Sequence, residues 1–119
     1  MNAVVLDGDE LRASISTDLG FSKEDRDEHN MRVARLAKVL NGQGFNVVVS
    51  VIAPFQSTRD KITELINPFW IYIKGGKIGE DMPYEVPNNP DLTIDPSEES
   101  LLASLETVIK QVGNLPSIN

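Results

Sequence analysis

A chain of 119 residues with eighteen acidic against eleven basic side chains carries a net charge of −7 and a pI near 4.6, which suits one small domain and opposes binding along a phosphate backbone, so no nucleic-acid partner is expected. Cysteine is absent, which removes disulfides, thiol nucleophiles and cysteine-held metals and agrees with a reducing, cytoplasmic setting. No apolar run approaches a membrane span and no basic-then-apolar leader opens the sequence, so no membrane partner is expected, whereas a small anionic ligand held by a few arginines and helix N-termini remains open.

Taken in order, Ala3-Val4-Val5-Leu6 reads as a strand over residues 3–7 and delivers Asp7-Gly8-Asp9-Glu10-Leu11-Arg12 to its carboxyl end. In open α/β sheets ligands bind in the crevice outside the strand ends. Two carboxylates and a guanidinium there suit a metal, a hydroxyl or a substrate. The same six residues also fit a plain capped helix, with Asp9 as the cap and Arg12 pairing with it one turn on. A short helix is expected over residues 9–16, then a loop punctuated by Gly20, in which Phe21 is either a core plug or a ligand platform. Ser22-Lys23-Glu24-Asp25 has the form of a capping box with Asp in the Glu position, and opens a helix whose apolar face is Val33, Leu36, Ala37 and Leu40. That helix is expected to stop at Gly42 or Gly44.

Residues 45–53 form a β-branched, nearly unbroken apolar run, the pattern of a central strand covered on both faces. Pro54-Phe55 ends it, and Ser57-Thr58-Arg59-Asp60 repeats the capping pattern before a helix over Ile62, Leu65 and Ile66 that Pro68 closes. Residues 69–73 are read as a third strand, residues 74–90 as a long loop carrying Glu80 and Asp81, and residues 91–95 as a fourth strand. A final helix presents Leu101, Leu102, Leu105, Val108, Ile109 and Val112. The fold class expected is α/β with a parallel, doubly wound sheet, as one domain over residues 1–112 and a flexible tail over 113–119.

Four ordered stretches share a resemblance: V-V-L-D-G-D-E-L-R from Val4, D-L-G-F-S-K-E-D-R from Asp18, V-I-A-P-F-Q-S-T-R-D from Val51 and P-Y-E-V-P-N-N-P-D-L-T-I-D from Pro83. Together they resemble the adenylylsulfate kinases (APS kinases), P-loop enzymes of sulfate assimilation that use ATP and magnesium to phosphorylate the 3′-hydroxyl of adenosine 5′-phosphosulfate. The resemblance implies a P-loop kinase fold, ATP and Mg2+ as cofactors, and the sulfated nucleotide as partner. It implies that Asp7 and Asp9 are catalytic, with Asp9 near the metal, and that Arg12 and Arg26 hold the phosphosulfate. Phe21 would stack on adenine, while Ile52 and Ala53 would line the pocket through their backbone. His29 stands where a substrate-binding asparagine is common in the family; it or Asn30, through a shift of one position, would take that role. Read by itself, His29 is a solvated helix residue.

The departures are as informative. Ala53 replaces a serine frequent in the family, which excludes a phosphoserine at that position. Lys74 to Asp81 is shorter than the family's lid, with Lys77 its one candidate lid lysine. No G-x-x-x-x-G-K-[ST] occurs in the 119 residues, and the strand that would precede it is missing from the expected sheet, a βα unit of roughly 30 residues. Because the family sets that strand between the equivalents of 45–53 and 69–73, its loss is expected to leave sheet edges that favour a homo-oligomer. Three functions stay open: a kinase represented here without its phosphate loop, a binding module that keeps only the nucleotide pocket, and a related kinase acting on another small hydroxyl substrate.

Overall fold

The computed structural model describes residues 3–74 and 84–95. Its elements are β1 (Ala3–Asp7), α1 (Gly8–Arg12), α2 (Lys23–Gly42), β2 (Asn46–Ser50), α3 (Gln56–Ile66), β3 (Ile71–Ile73) and β4 (Leu92–Ile94). They fall into two units, one ending at Pro68 and the other beginning at Phe69.

In the first unit α2 starts where its cap residue dictates: Ser22 is extended and its Oγ accepts the Asp25 N–H at 3.1 Å. The return arm of a capping box is not made, because the Asp25 carboxylate takes the Gly20 N–H at 2.8 Å instead. After Gly42 the chain turns through Gly44 at φ +97°, a left-handed conformation that a Cβ would disfavour. The expected apolar face of α2 is the one buried: Val33 and Ala37 meet Leu6 of β1, with Val4, Leu11, Leu36, Leu40, Val47 and Val51 packed around them. Burial of a side chain such as Val33 contributes roughly 1.5–3 kcal/mol.

β1 and β2 run parallel, in register from Ala3 opposite Asn46 to Asp7 opposite Ser50. Alternation sends Val4, Leu6, Val47 and Val51 toward α2 and turns Val5 and Val48 the other way. Val5 is 66% and Val48 49% exposed. The expectation of a strand covered on both faces over 45–53 is therefore corrected. β2 is five residues long, one face is open, and β1 alone pairs with it among the described residues.

The expected cap at Ser57 and Thr58 is also corrected. Phe55 is already extended at φ −110°, ψ 133°, so α3 begins at Gln56 without a side-chain cap bond and both hydroxyl residues lie inside its first turn. Thr58 is buried there and donates from Oγ1 to Asp27 Oδ1 at 2.5 Å, and Lys61 reaches the other carboxylate oxygen at 2.9 Å. Those bonds hold the Asp27 carboxyl below its usual range, the Thr58 hydroxyl first and Lys61 second. α3 ends with Asn67 in the left-handed region at φ 42°, ahead of Pro68.

The second unit pairs β3 with β4 in parallel, from Ile71 opposite Leu92 to Ile73 opposite Ile94. Tyr72 stacks on Tyr84 with ring centroids 6.1 Å apart, and the Trp70 N–H donates to Asp91 at 2.7 Å. Among the described residues the α/β fold with parallel strands is present as two two-stranded sheets. The final helix, the tail, Lys77, Glu80 and Asp81 lie outside the described residues. No helix among the described residues is long and apolar enough to cross a membrane.

Candidate functional site

The acidic turn forms at the carboxyl end of β1. Asp7, not Asp9, is the cap of the five-residue α1, its carboxylate accepting the Asp9 N–H at 3.2 Å. Gly8 is needed between them because the turn lies against β2: a Cβ there would stand 3.0 Å from Val51 Cγ1 and 3.2 Å from the Ser50 carbonyl. The carboxylates of Asp7 and Asp9 are both on exposed residues. Arg12, one turn further on, donates from Nη1 to the Gly20 carbonyl at 2.8 Å, so it closes the following loop and does not pair with Asp9.

That bond brings Arg12 to Phe21. The Arg12 guanidinium lies 4.5 Å from the centre of the phenyl ring, and the Arg26 guanidinium lies 5.5 Å from it. Arg26 is held by its own bond from Nε to the Phe21 carbonyl at 2.7 Å. Phe21 is 67% exposed, which rules out the core-plug reading and leaves a flat apolar face flanked by two cations. Four further contacts fasten this loop to α2. Arg32 donates to both Asp18 oxygens at 2.7 and 2.9 Å and to the Ile15 carbonyl at 2.8 Å, and His29 Nδ1 lies 2.7 Å from Ser16 Oγ. The forked Arg32 contact lowers the Asp18 carboxyl to about 2.

His29 is 4% exposed, so it is not the solvated helix residue that its sequence surroundings suggest. Burial holds its imidazole below the ordinary range, and the nearby Arg12 charge acts in the same direction. Asn30 is buried too, donating from Nδ2 to the Ile52 carbonyl at 3.2 Å. Its Oδ1 is buried without a hydrogen-bond partner among the described residues. Ala53 is buried and its carbonyl accepts from Arg59 Nη1 at 3.0 Å, whereas the Ile52 side chain is exposed. The structure thus gathers Arg12, Phe21 and Arg26 at one spot, sets Asp7 and Asp9 at the other end of α1, and engages the Ile52 and Ala53 carbonyls with protein donors. Ser16, Asp18 and Arg32 escaped the reading from sequence. Asp18 lies in one of the four resembling stretches, but nothing local shows that it pairs fourteen residues away.

Among the described residues no three carboxylate or imidazole groups converge on a point that could hold a metal ion. Magnesium needs no all-protein cage and is commonly held by one or two carboxylates together with substrate phosphates, so the exposed carboxylates of Asp7 and Asp9 are compatible with it as donors.

The first unit thus sets an acidic turn at the end of a parallel strand and an exposed ring between two guanidiniums beyond it. The sequence model of adenylylsulphate kinase matches residues 1–76. The chain is 33% identical to the adenylyl-sulfate kinase of Lactiplantibacillus plantarum over 139 aligned positions, covering 95% of this chain and 67% of that protein. It is 37% identical to a probable adenylyl-sulfate kinase of Pseudomonas aeruginosa, covering 89% of this chain and 61% of that one. Among solved structures, the Mycobacterium tuberculosis APS kinase CysC in complex with AMPPNP and APS superposes with a TM-score of 0.84 at 30% identity, over 96% of this chain and 82% of that one. The hexameric APS kinase from Thiobacillus denitrificans superposes with a TM-score of 0.78 at 28% identity, over 94% of this chain and 22% of that one. The chain belongs to the adenylylsulfate kinase family.

Proposed function

We propose that this chain binds adenosine 5′-phosphosulfate through Arg12, Phe21 and Arg26. The observation that carries the reading is the exposed Phe21 ring with a guanidinium 4.5 Å away and another 5.5 Å away. Phosphosulfate is a compact anion suited to forked, charge-assisted donors, and adenine is a flat group suited to a phenyl face. Each arginine uses one N–H to fix itself on the loop backbone, which preorganises the pair before a ligand arrives. Asn30, with its unpartnered buried Oδ1 beside the Ile52 carbonyl, and Ala53 next to it are assigned to the rim of the same pocket.

Asp7 and Asp9 are assigned to the nucleotide's 3′-hydroxyl, one carboxylate orienting it and accepting its proton as the oxygen attacks a phosphoryl group. The other half of that reaction has no holder in these residues. The 119 residues contain no phosphate loop, so the chain by itself is proposed to bind the acceptor nucleotide and not to turn it over. The relatives' hexameric example and the open face at Val5 and Val48 support self-association.

Calorimetric titration with adenosine 5′-phosphosulfate and, separately, with ATP tests the reading. Saturable binding of the sulfated nucleotide with no ATP uptake is expected. Turnover by the purified chain would refute the assignment of a binding-only role, and failure to bind the sulfated nucleotide would refute the site.

A further inference from the structure

Arg12 closes α1, and Phe21 lies on the stretch that follows, which has little structure of its own. Between α1 and α2 the backbone bonds are short-range turns, from Ser14, Ile15 and Ser16 back to Leu11 and from Leu19 to Ser16. Nothing in that stretch fixes its distance from Arg26, which rides on α2. The distance is set by side chains reaching across: Asp25 to Gly20, Arg26 to Phe21, Arg32 to Ile15 and Asp18, and His29 to Ser16. One of these differs from the rest. Ser16 is 1% and His29 4% exposed, so this contact is made away from water, whereas the Arg32 and Arg26 contacts are exposed. A buried bond is stronger electrostatically, and losing one partner leaves the other unsatisfied.

The ring of His29 also faces α1. Gly8 backbone, Arg12 and Asp9 act on it from that side, and Arg32 acts along α2. It therefore stands where the acidic turn, the binding loop and α2 meet.

We infer that His29 is a positioning residue which, through Ser16, fixes the 12–21 segment on α2 and so sets Arg12 and Phe21 at working distance from Arg26. This rests on the proposed nucleotide site and assigns to position 29 a role other than the ligand contact that the family resemblance implies. The ring is enclosed and its Nδ1 is engaged, so it acts through Ser16. Asparagine carries its amide close to where histidine carries Nδ1, so His29→Asn should keep the bond. His29→Leu and Ser16→Ala remove it.

Two readouts test the inference, and one needs no ligand. The Arg12 side-chain protons lie over the Phe21 face, so their NMR resonances should be shifted upfield by the ring current. The shift should collapse in His29→Leu and Ser16→Ala and survive in His29→Asn, with far-UV circular dichroism unchanged. Affinity for adenosine 5′-phosphosulfate should fall about tenfold in the first two variants, the scale of one lost buried hydrogen bond, and recover in the third. Ring-current shifts retained in both His29→Leu and Ser16→Ala would overturn the inference. If the unaltered chain fails to bind the nucleotide, the proposed function falls, and the ring-current measurement still decides whether His29 positions the segment.

Discussion

Truncating Phe21 to alanine separates a binding surface from a structural one. The ring is 67% exposed, so its loss removes little buried area, and folding stability should fall by no more than about 1–2 kcal/mol, the worth of its two exposed cation–π contacts. Binding should behave differently. Base-on-ring stacking is worth about 1–3 kcal/mol by alanine substitution, which corresponds to a dissociation constant for adenosine 5′-phosphosulfate raised roughly 5- to 150-fold. The upper half of that range is expected, because the ring also lies under both guanidiniums, at 4.5 and 5.5 Å, and each such contact contributes about 0.5–1 kcal/mol toward holding the cations in place. The assay is isothermal titration of the purified chain and its variant, with Phe21→Trp as the control that keeps an aromatic face. An unchanged dissociation constant in Phe21→Ala, alongside measurable binding by the unaltered chain, would refute stacking as the basis of recognition.

Gly8→Ala should lower stability by about 1–3 kcal/mol, read from the urea midpoint, because the new Cβ meets Val51 Cγ1 and the Ser50 backbone carbonyl at 3.0 and 3.2 Å. Thr58→Val leaves Asp27 without its first hydrogen-bond donor in a part-buried place. It should cost about 1–3 kcal/mol by the same measurement and raise the Asp27 carboxyl's titration point in carbon-detected NMR. Stability should also depend on pH through His29. Its imidazole titrates below the ordinary 6.5 when folded, so the unfolded chain takes up the proton more readily; the contribution is complete above pH 6.5 and declines as pH falls below it. His29→Asn should flatten thermal stability as pH falls below 6.5, a range above that of the lowered Asp18 and Asp27 carboxyls, measured by calorimetry in buffers of matched ionic strength.

Local signals in the sequence were sufficient for β1, for the Ser22 start of α2 and for its Val33 and Ala37 core face, because each depends on neighbours within one or two turns. They misled at Ser57 and Thr58, where a hydroxyl pair looked like a cap. The residue that sets a helix start is the one held extended, and Pro54-Phe55 had already supplied it. The β-branched run of β2 suggested cover on both faces, yet composition reports only that a strand can be covered, not that a neighbour is present. Arg12, Phe21 and Arg26, which the ordered motifs singled out, do lie together at one spot. The pairs Ser16 with His29, Asp18 with Arg32 and Asp27 with Thr58 were not, since thirteen or more residues separate the partners and only the packing of the loop and α3 on α2 brings them together.

Helix α2 carries Arg26, His29 and Arg32 at intervals of three, and each reaches a different part of the 12–21 segment. Asp27 and Asn30, one position further round in the same interval, reach α3 and the end of β2. A single residue inserted between Arg26 and His29 would leave a continuous helix but turn everything beyond it by about 100°. Arg26 would then stay with Phe21 while Arg32, His29 and Asn30 swung off their partners, so one inserted residue would break several contacts at once where a substitution breaks one.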